Sequence, residues 1–254
     1  MKLIIDEDRG VLIREQDGHR AELELYSPEA FELISRQWVR LGWSLKYSYT
    51  FTWFGRPIIQ LPEDMVRIQE AVWQLQPDVI IECGVAHGGS LVLYAGIFEA
   101  LGRGRVIGVD VEIRKHNRHA LEQHILAPRI NLVEGDSVDP TVVENVKRLT
   151  DAGEKIMVVL DSCHQRAHVL AELEAYGDLV SRGSYIVVAD GIMKDLTDVP
   201  RGERDWEQDN PLGAIQDFLA SHSEFESVPP PGPFSESPLE SGVTYWPGGW
   251  MQRK

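Results

Sequence analysis

Residues 79–90, Val-Ile-Ile-Glu-Cys-Gly-Val-Ala-His-Gly-Gly-Ser, constrain this chain more than any other stretch. The run that opens it has the continuous hydrophobicity of a parallel strand buried on both faces. It breaks into a turn with glycines at Gly84, Gly88 and Gly89, and an apolar helical segment starts near Ser90. Strand, glycine turn and helix in that order read as a nucleotide-binding unit. Gly84 lets the chain turn sharply at the strand end. Gly88 and Gly89, without a Cβ, are expected to let a ligand lie against bare backbone at the helix start. The spacing narrows the ligand: a dinucleotide fingerprint is G-x-G-x-x-G, whereas Glu82-x-Gly84-x-x-x-Gly88 has no glycine at Ala86.

The rest of the chain alternates in kind. Helix is predicted over 91–101, 117–125, 140–149, 169–180 and 211–222, and strand over 106–109, 130–134, 156–160 and 185–188. With the first strand these make a doubly wound parallel sheet of the α/β class. Two late strands, near Phe225 and over 243–246, add an edge hairpin and complete seven strands, mostly parallel. Earlier, Ser27-Pro28 caps a helix with Phe31, Ile34, Trp38 and Leu41 on one stripe, stopped by Gly42, and a second helix runs from Pro62. Alternation of Tyr47, Tyr49, Phe51 and Trp53 predicts an extended segment, its aromatics packed in the core or an interface in preference to walling a pocket. The division expected is a helical N-terminal extension over 1–61 and a catalytic domain over 62–254. Residues 191–210 lack periodicity and read as a lid or a mobile loop.

Ligands of such sheets bind outside the carboxyl ends of the strands, so the residues after each strand matter most. Asp110 follows the second strand, 22 residues beyond Gly88, where an acidic side chain accepts from ribose hydroxyls. Asp136 and Ser137 follow the third and are candidates for an adenine edge; each acid has the competing reading of a helix cap. Asp161 and Asp190 follow the fourth and fifth strands. If those strands are neighbours, their ends lie about 5 Å apart and two carboxylates converge. A hard divalent cation with oxygen ligands, magnesium most simply, relieves their repulsion. His164, three residues past Asp161, is placed to take a proton from a hydroxyl. His168 makes a His-x-x-x-His pair with it, but Gln165 stands where a zinc protease needs Glu. His116 and His119 read as exposed helix residues, and His87 lies inside the glycine turn.

The net charge of −15 and the lack of a basic stripe argue against nucleic acid. Two cysteines, Cys83 and Cys163, fit a reducing compartment. No apolar run suits a signal peptide or an integral membrane segment, so a cytoplasmic protein is expected.

From Glu82 to Asp190, with Asp161-Ser162-Cys163-His164 and Glu172-Leu173-Glu174-Ala175-Tyr176, the sequence resembles the family named for cephalosporin hydroxylase and rhamnosyl O-methyltransferase. The resemblance covers most of 50–254, including Pro247-Gly248-Gly249-Trp250. It implies a Rossmann-like class I methyltransferase fold, S-adenosylmethionine as cofactor, a magnesium site and a tendency to form homo-oligomers. The cofactor would lie against Glu82, Gly84, His87, Gly88, Ser90, Asp110, Asp136 and Ser137, and the metal on Asp161 and Asp190. His164 occupies the offset of the catalytic lysine in catechol-type relatives. The chain departs from the family at Ala189-Asp190-Gly191, where an acidic pair is usual, which leaves a third protein ligand in question. The expected reaction is O-methylation of a hydroxyl on a sugar moiety or related small molecule, in a secondary metabolite or glycolipid. The rivals are a nicotinamide-dependent oxidoreductase and a cofactor-binding scaffold without turnover.

Overall fold

The computed structural model describes every residue except 233, 240 and 241. It opens with an antiparallel meander of β1 (Lys2–Asp6), β2 (Val11–Gln16) and β3 (His19–Glu24), which corrects the expectation of a purely helical extension. The missed signal is Asp17-Gly18, with φ of 51° and 80°. Two consecutive left-handed residues are what a two-residue hairpin requires. α1 (Pro28–Ser44) is capped by Ser27, whose hydroxyl accepts from Ala30 N, and runs through the buried Gly42 without stopping there. Residues Tyr47–Thr50 form a 3₁₀ turn, so only β4 (Phe51–Trp53) of the aromatic stretch is extended, paired with β5 (Arg56–Ile58). Phe51 and Trp53 pack against the core, as expected.

The main body runs α2 (Pro62–Leu75), β6 (Val79–Cys83), α3 (Gly89–Leu101), β7 (Arg105–Asp110), α4 (Lys115–Glu122), β8 (Ile130–Glu134), α5 (Pro140–Arg148), β9 (Ile156–Leu160), α6 (Arg166–Tyr176), β10 (Tyr185–Val188), α7 (Pro211–Ser221), β11 (Phe225–Ser227) and β12 (Trp250–Arg253). Its seven strands lie in the order β11-β12-β10-β9-β6-β7-β8, parallel except β12. The doubly wound, mostly parallel sheet is the one the alternating units predict. The second late strand is Trp250–Arg253 and not 243–246: Tyr245 N is drawn off the sheet to donate to the buried Asp64 at 2.9 Å.

The period of two decides which side chains meet. Val79, Ile81 and Cys83 of β6 face the layer of α5, α6 and α7, while Ile80 faces α2 and α3. The chain order reverses between β6 and β9, the switch point where doubly wound sheets open a crevice. Residues 191–210 are not free of the body. They hold two 3₁₀ turns, and Arg40 of α1 pairs with Asp198 at 2.6 Å while Arg201 Nη1 donates to Trp43 O at 3.0 Å.

Candidate active site at the sheet switch point

The glycine turn is built tightly into its surroundings. Gly84 has φ of +104°, and a Cβ there would lie 2.1 Å from the carbonyl oxygen of Asp161. The β6 and β9 ends thus touch, with Asp161 N donating to Cys83 O at 2.8 Å. Asp110 ties the turn from the other side: its Oδ2 accepts from Val85 N at 2.8 Å and Ala86 N at 3.1 Å, and its Oδ1 from Glu112 N at 3.1 Å. Ala86 stands at φ 46°, unfavourable for a residue with a Cβ. A staple holds it there. Asn117 Nδ2 donates to Ala86 O at 2.8 Å, and Arg56 Nη2 donates to His87 O at 2.6 Å and to Asn117 Oδ1 at 2.9 Å. The expectation of bare backbone for a ligand at Gly88 and Gly89 is corrected on the side a Cβ would occupy. Leu121 takes that space at Gly88 and Pro57 O at Gly89, 2.6 and 2.2 Å from a built Cβ, because the chain packs against itself there.

Glu82 is wholly buried, its carboxyl accepting from Ser90 Oγ at 2.7 Å and Tyr94 OH at 3.1 Å. Burial, with a lesser push from the Asp110 charge, raises it to about 8 against the pull of the two hydroxyls. Glu82 and Ser90 therefore meet each other beneath the turn. Asp136 is exposed after β8, while Ser137 is buried and donates to Glu172 Oε1 at 2.5 Å. The same Glu172 oxygen accepts from Ser162 Oγ at 2.6 Å, and His168 Nε2 lies 3.2 Å from Ser137 Oγ. Glu172 thus ties the loop after β8 to the loop after β9.

Asp161, His164 and Asp190 come together at the ends of β9 and β10, which are neighbours, the condition on which the convergence of the two carboxylates depended. His164 Nε2 lies 3.4 Å from Asp190 Oδ2 and 3.9 Å from Asp161 Oδ1, and one ligand atom of each residue falls within a 4.8 Å group. All three keep about a quarter or less of their side-chain surface open. Burial raises both carboxyls above the usual range; the Asp190 charge raises Asp161 further, and His164 pulls Asp190 back. Asp190 sits at φ 56°, a second strained non-glycine residue at the switch point. Beside Asp161, Gln60 is 3% exposed with neither its Nε2 nor its Oε1 hydrogen-bonded. An orphaned buried carboxamide beside two converging carboxylates is a donor set short of a partner. It fits a divalent cation with open positions for further oxygen ligands.

His116 and His119 are exposed on α4, as expected, and His168 turns to Ser137 and Glu172, away from His164. The chain's single His-x-Glu spacing, His222 to Glu224, lies apart, with His222 stacked on Phe218. Sequence reasoning missed Arg56, Gln60, Asn117, Glu172 and Asp64, whose carboxyl accepts from Thr244 and Tyr245 and is raised by burial to about 7. Only Glu172 lay in a noted motif; the others are single polar residues in stretches read for their turns and apolar stripes.

The family model for rhamnosyl O-methyltransferase/CmcI matches residues 45–254. A rhamnosyl O-methyltransferase of Mycobacterium tuberculosis (strain ATCC 25618 / H37Rv) is 36% identical over 141 residues, 55% of this chain and 56% of that protein. One from Mycobacterium leprae (strain TN) is 31% identical over 154 residues, 60% of this chain and 65% of that protein. The match spans between 56% and 65% of the length of these curated relatives, less than two thirds. A solved CmcI structure described as its Mg–SAM form has 19% identity and a TM-score of 0.55, over 81% of this chain and 77% of that one. That likeness is one of fold.

Proposed function

The chain belongs to the rhamnosyl O-methyltransferase/CmcI family, and from that membership and the site's geometry we propose that it is an S-adenosylmethionine-dependent, magnesium-assisted O-methyltransferase. The acceptor is a hydroxyl on a sugar moiety or related small molecule of a secondary metabolite or glycolipid, in keeping with the rhamnosyl specificity that names its relatives. A homo-oligomer in the cytoplasm is proposed with it, which two unbridged cysteines fit. Among the described residues no helix is long and apolar enough to cross a membrane. The observation that supports the reading is the contact between the glycine turn at Gly84 and Asp161 of the Asp161–His164–Asp190 group, which would put a cofactor held by the first beside a cation held by the second.

S-adenosylmethionine, when bound, supplies an electrophilic methyl group. A divalent cation supplies a Lewis acid that makes a hydroxyl more acidic. The chain's own residues do the rest. Asp110, Asn117 and Arg56 hold the turn in one shape, so orientation is settled before the cofactor arrives. Asp161 and Asp190 hold the cation, and His164 takes the acceptor's proton at a ring nitrogen as oxygen gains the methyl. A second assignment for His164 follows from its position within reach of both carboxylates and from Ala189, which offers no carboxylate: third metal ligand instead of base.

Calorimetric titration of S-adenosylmethionine and its demethylated product, with and without magnesium, tests the reading against Asp110→Ala and Asp161→Asn. Cofactor binding weakened by the first substitution and a magnesium effect lost with the second support it. No binding by wild type, or binding of a nicotinamide cofactor instead, overturns it. Binding without transfer to any sugar acceptor favours the scaffold.

A further inference from the structure

Helix α1 carries two apolar faces. One, with Val39, Gly42 and Trp43, packs into the body. The other carries Phe31, Ile34, Trp38, Leu41 and Leu45 at spacings of three, four, three and four, an a/d seam of the kind that closes on another helix. Its C-terminal half is the most open part, with Leu41 62% exposed and Leu45, the residue that ends the helix, 79%, while Ile34 is half-buried and the Trp38 ring packs edge-on against Tyr47. The positions flanking the seam on the helix, Ser35, Gln37 and Ser44, bear no charge, whereas a solvated face would carry Lys and Glu there.

We propose that this seam is a homodimer interface, two copies of the chain pairing antiparallel along α1. The proposal names a surface for the assembly inferred above and stands without the methyl-transfer reading. Three observations favour a second copy. The seam is self-complementary: a two-fold axis between residues 39 and 40 sets Trp38 opposite Leu41 and Ile34 opposite Leu45, as an isologous contact requires. Antiparallel pairing opposes the helix dipoles and brings the acidic first turn of one helix, with Glu29, to the end of the other that leads into Lys46. With the neighbouring Tyr47 and Tyr49, also exposed, full burial of the seam would remove at most on the order of 600 Å² per copy, twice which reaches the lower bound of stable interfaces. A net charge of −15 opposes an anionic lipid surface as the occupant.

Sedimentation equilibrium of the full chain tests this. Wild type is expected as a dimer at micromolar concentration. Leu41→Glu combined with Leu45→Glu is expected as a monomer, its dissociation constant raised by about a hundredfold or more, with an unchanged far-ultraviolet circular dichroism spectrum because both side chains are exposed. Under oxidation, Ile34→Cys with Leu45→Cys should give a covalent dimer, whereas Leu45→Cys alone should not. A monomeric wild type, a dimer that survives the double glutamate variant, or crosslinking by Leu45→Cys alone overturns the antiparallel interface. A monomer that floats with phosphatidylcholine vesicles, and ceases to in the glutamate variant, overturns it in favour of a lipid surface.

Discussion

Two regions meet at the switch point of the sheet, and they are finished to different degrees. At the ends of β6 and β7 the acceptors are satisfied by the protein: Glu82 by two hydroxyls, Asp110 by three backbone amides. At the ends of β9 and β10, Asp161 and Asp190 have His164 between them, at 3.9 and 3.4 Å, and the buried Gln60 carboxamide approaches Asp161 without a well-formed hydrogen bond. A buried carboxylate without compensation costs several kcal/mol. The first region is complete without a ligand; the second is left with carboxylates and a carboxamide that the protein itself does not fully match, a shortfall that the proposed cation would fill. Strain is stored at both, in Ala86 and Asp190, but only at Ala86 does a side-chain staple account for it.

The most disruptive way to break this contrast is to separate the regions. Gly84→Ala would force a Cβ into Asp161 O at a φ disfavoured for alanine, and a loss on the order of 4 kcal/mol or failure to fold is expected. A melting temperature within a few degrees of wild type would refute the contact.

His164→Ala tests the unfinished side alone. As a base, His164 is worth roughly 10² to 10⁴ in rate, with cofactor and magnesium affinity unchanged. Loss of magnesium affinity in calorimetry would make it a ligand instead.

Burial raises acids on both sides, Glu82 as well as Asp161 and Asp190, so a substitution is needed to assign their share of the pH dependence. Glu82 rises from 4.5 to about 8 and Asp64 from 3.8 to about 7 on folding, so the folded chain binds more protons than the unfolded one between those limits. Their contribution is fully present below about pH 4 and is lost as pH rises toward 8. Metal-free protein should therefore melt several degrees lower at pH 8 than at pH 5, and Glu82→Gln should flatten part of that slope. A slope unchanged in Glu82→Gln would remove Glu82 from it. The smallest effect is expected at the staple. Asn117→Ala should cost about 1 to 3 kcal/mol through the unpaired groups it leaves, and weaken cofactor binding roughly tenfold by loosening Ala86; unaltered cofactor affinity would confine Asn117 to stability.

Much of the fold was legible because it rests on local periodicity. The bounds of β6, β9 and β10 follow from apolar runs buried on both faces and those of the edge strand β8 from its Ile130, Leu132 and Val133, while α2, α5 and α7 are each led by a proline, with Asp139 and Asn210 capping the last two. The meander at 2–24 was legible too, through Asp17-Gly18, but its half-exposed strands give a weak apolar signal. β12 was not, since Trp250-Met251-Gln252-Arg253 is short and ends in polar residues, while 243–246 looks more like a strand and is held elsewhere by Asp64.

By itself the sequence determined the parallel sheet, the glycine turn and which acids stand at strand ends, since strand and turn are properties of neighbouring residues. It also set His164 three residues from Asp161. Only the tertiary structure decided what those side chains meet. Contacts between residues far apart in the chain have no periodicity to betray them: Arg56 and Asn117 are 61 residues apart, Asp64 and Tyr245 are 181 apart, and Gln60 reaches Asp161 from before the first strand of the sheet. For the same reason the sequence gives Asp110 and Asp161 the same appearance, an acid after a strand. Folding turns one to the backbone amides of the glycine turn and leaves the other beside Asp190, because only one of them lies next to a turn whose N–H groups point at it.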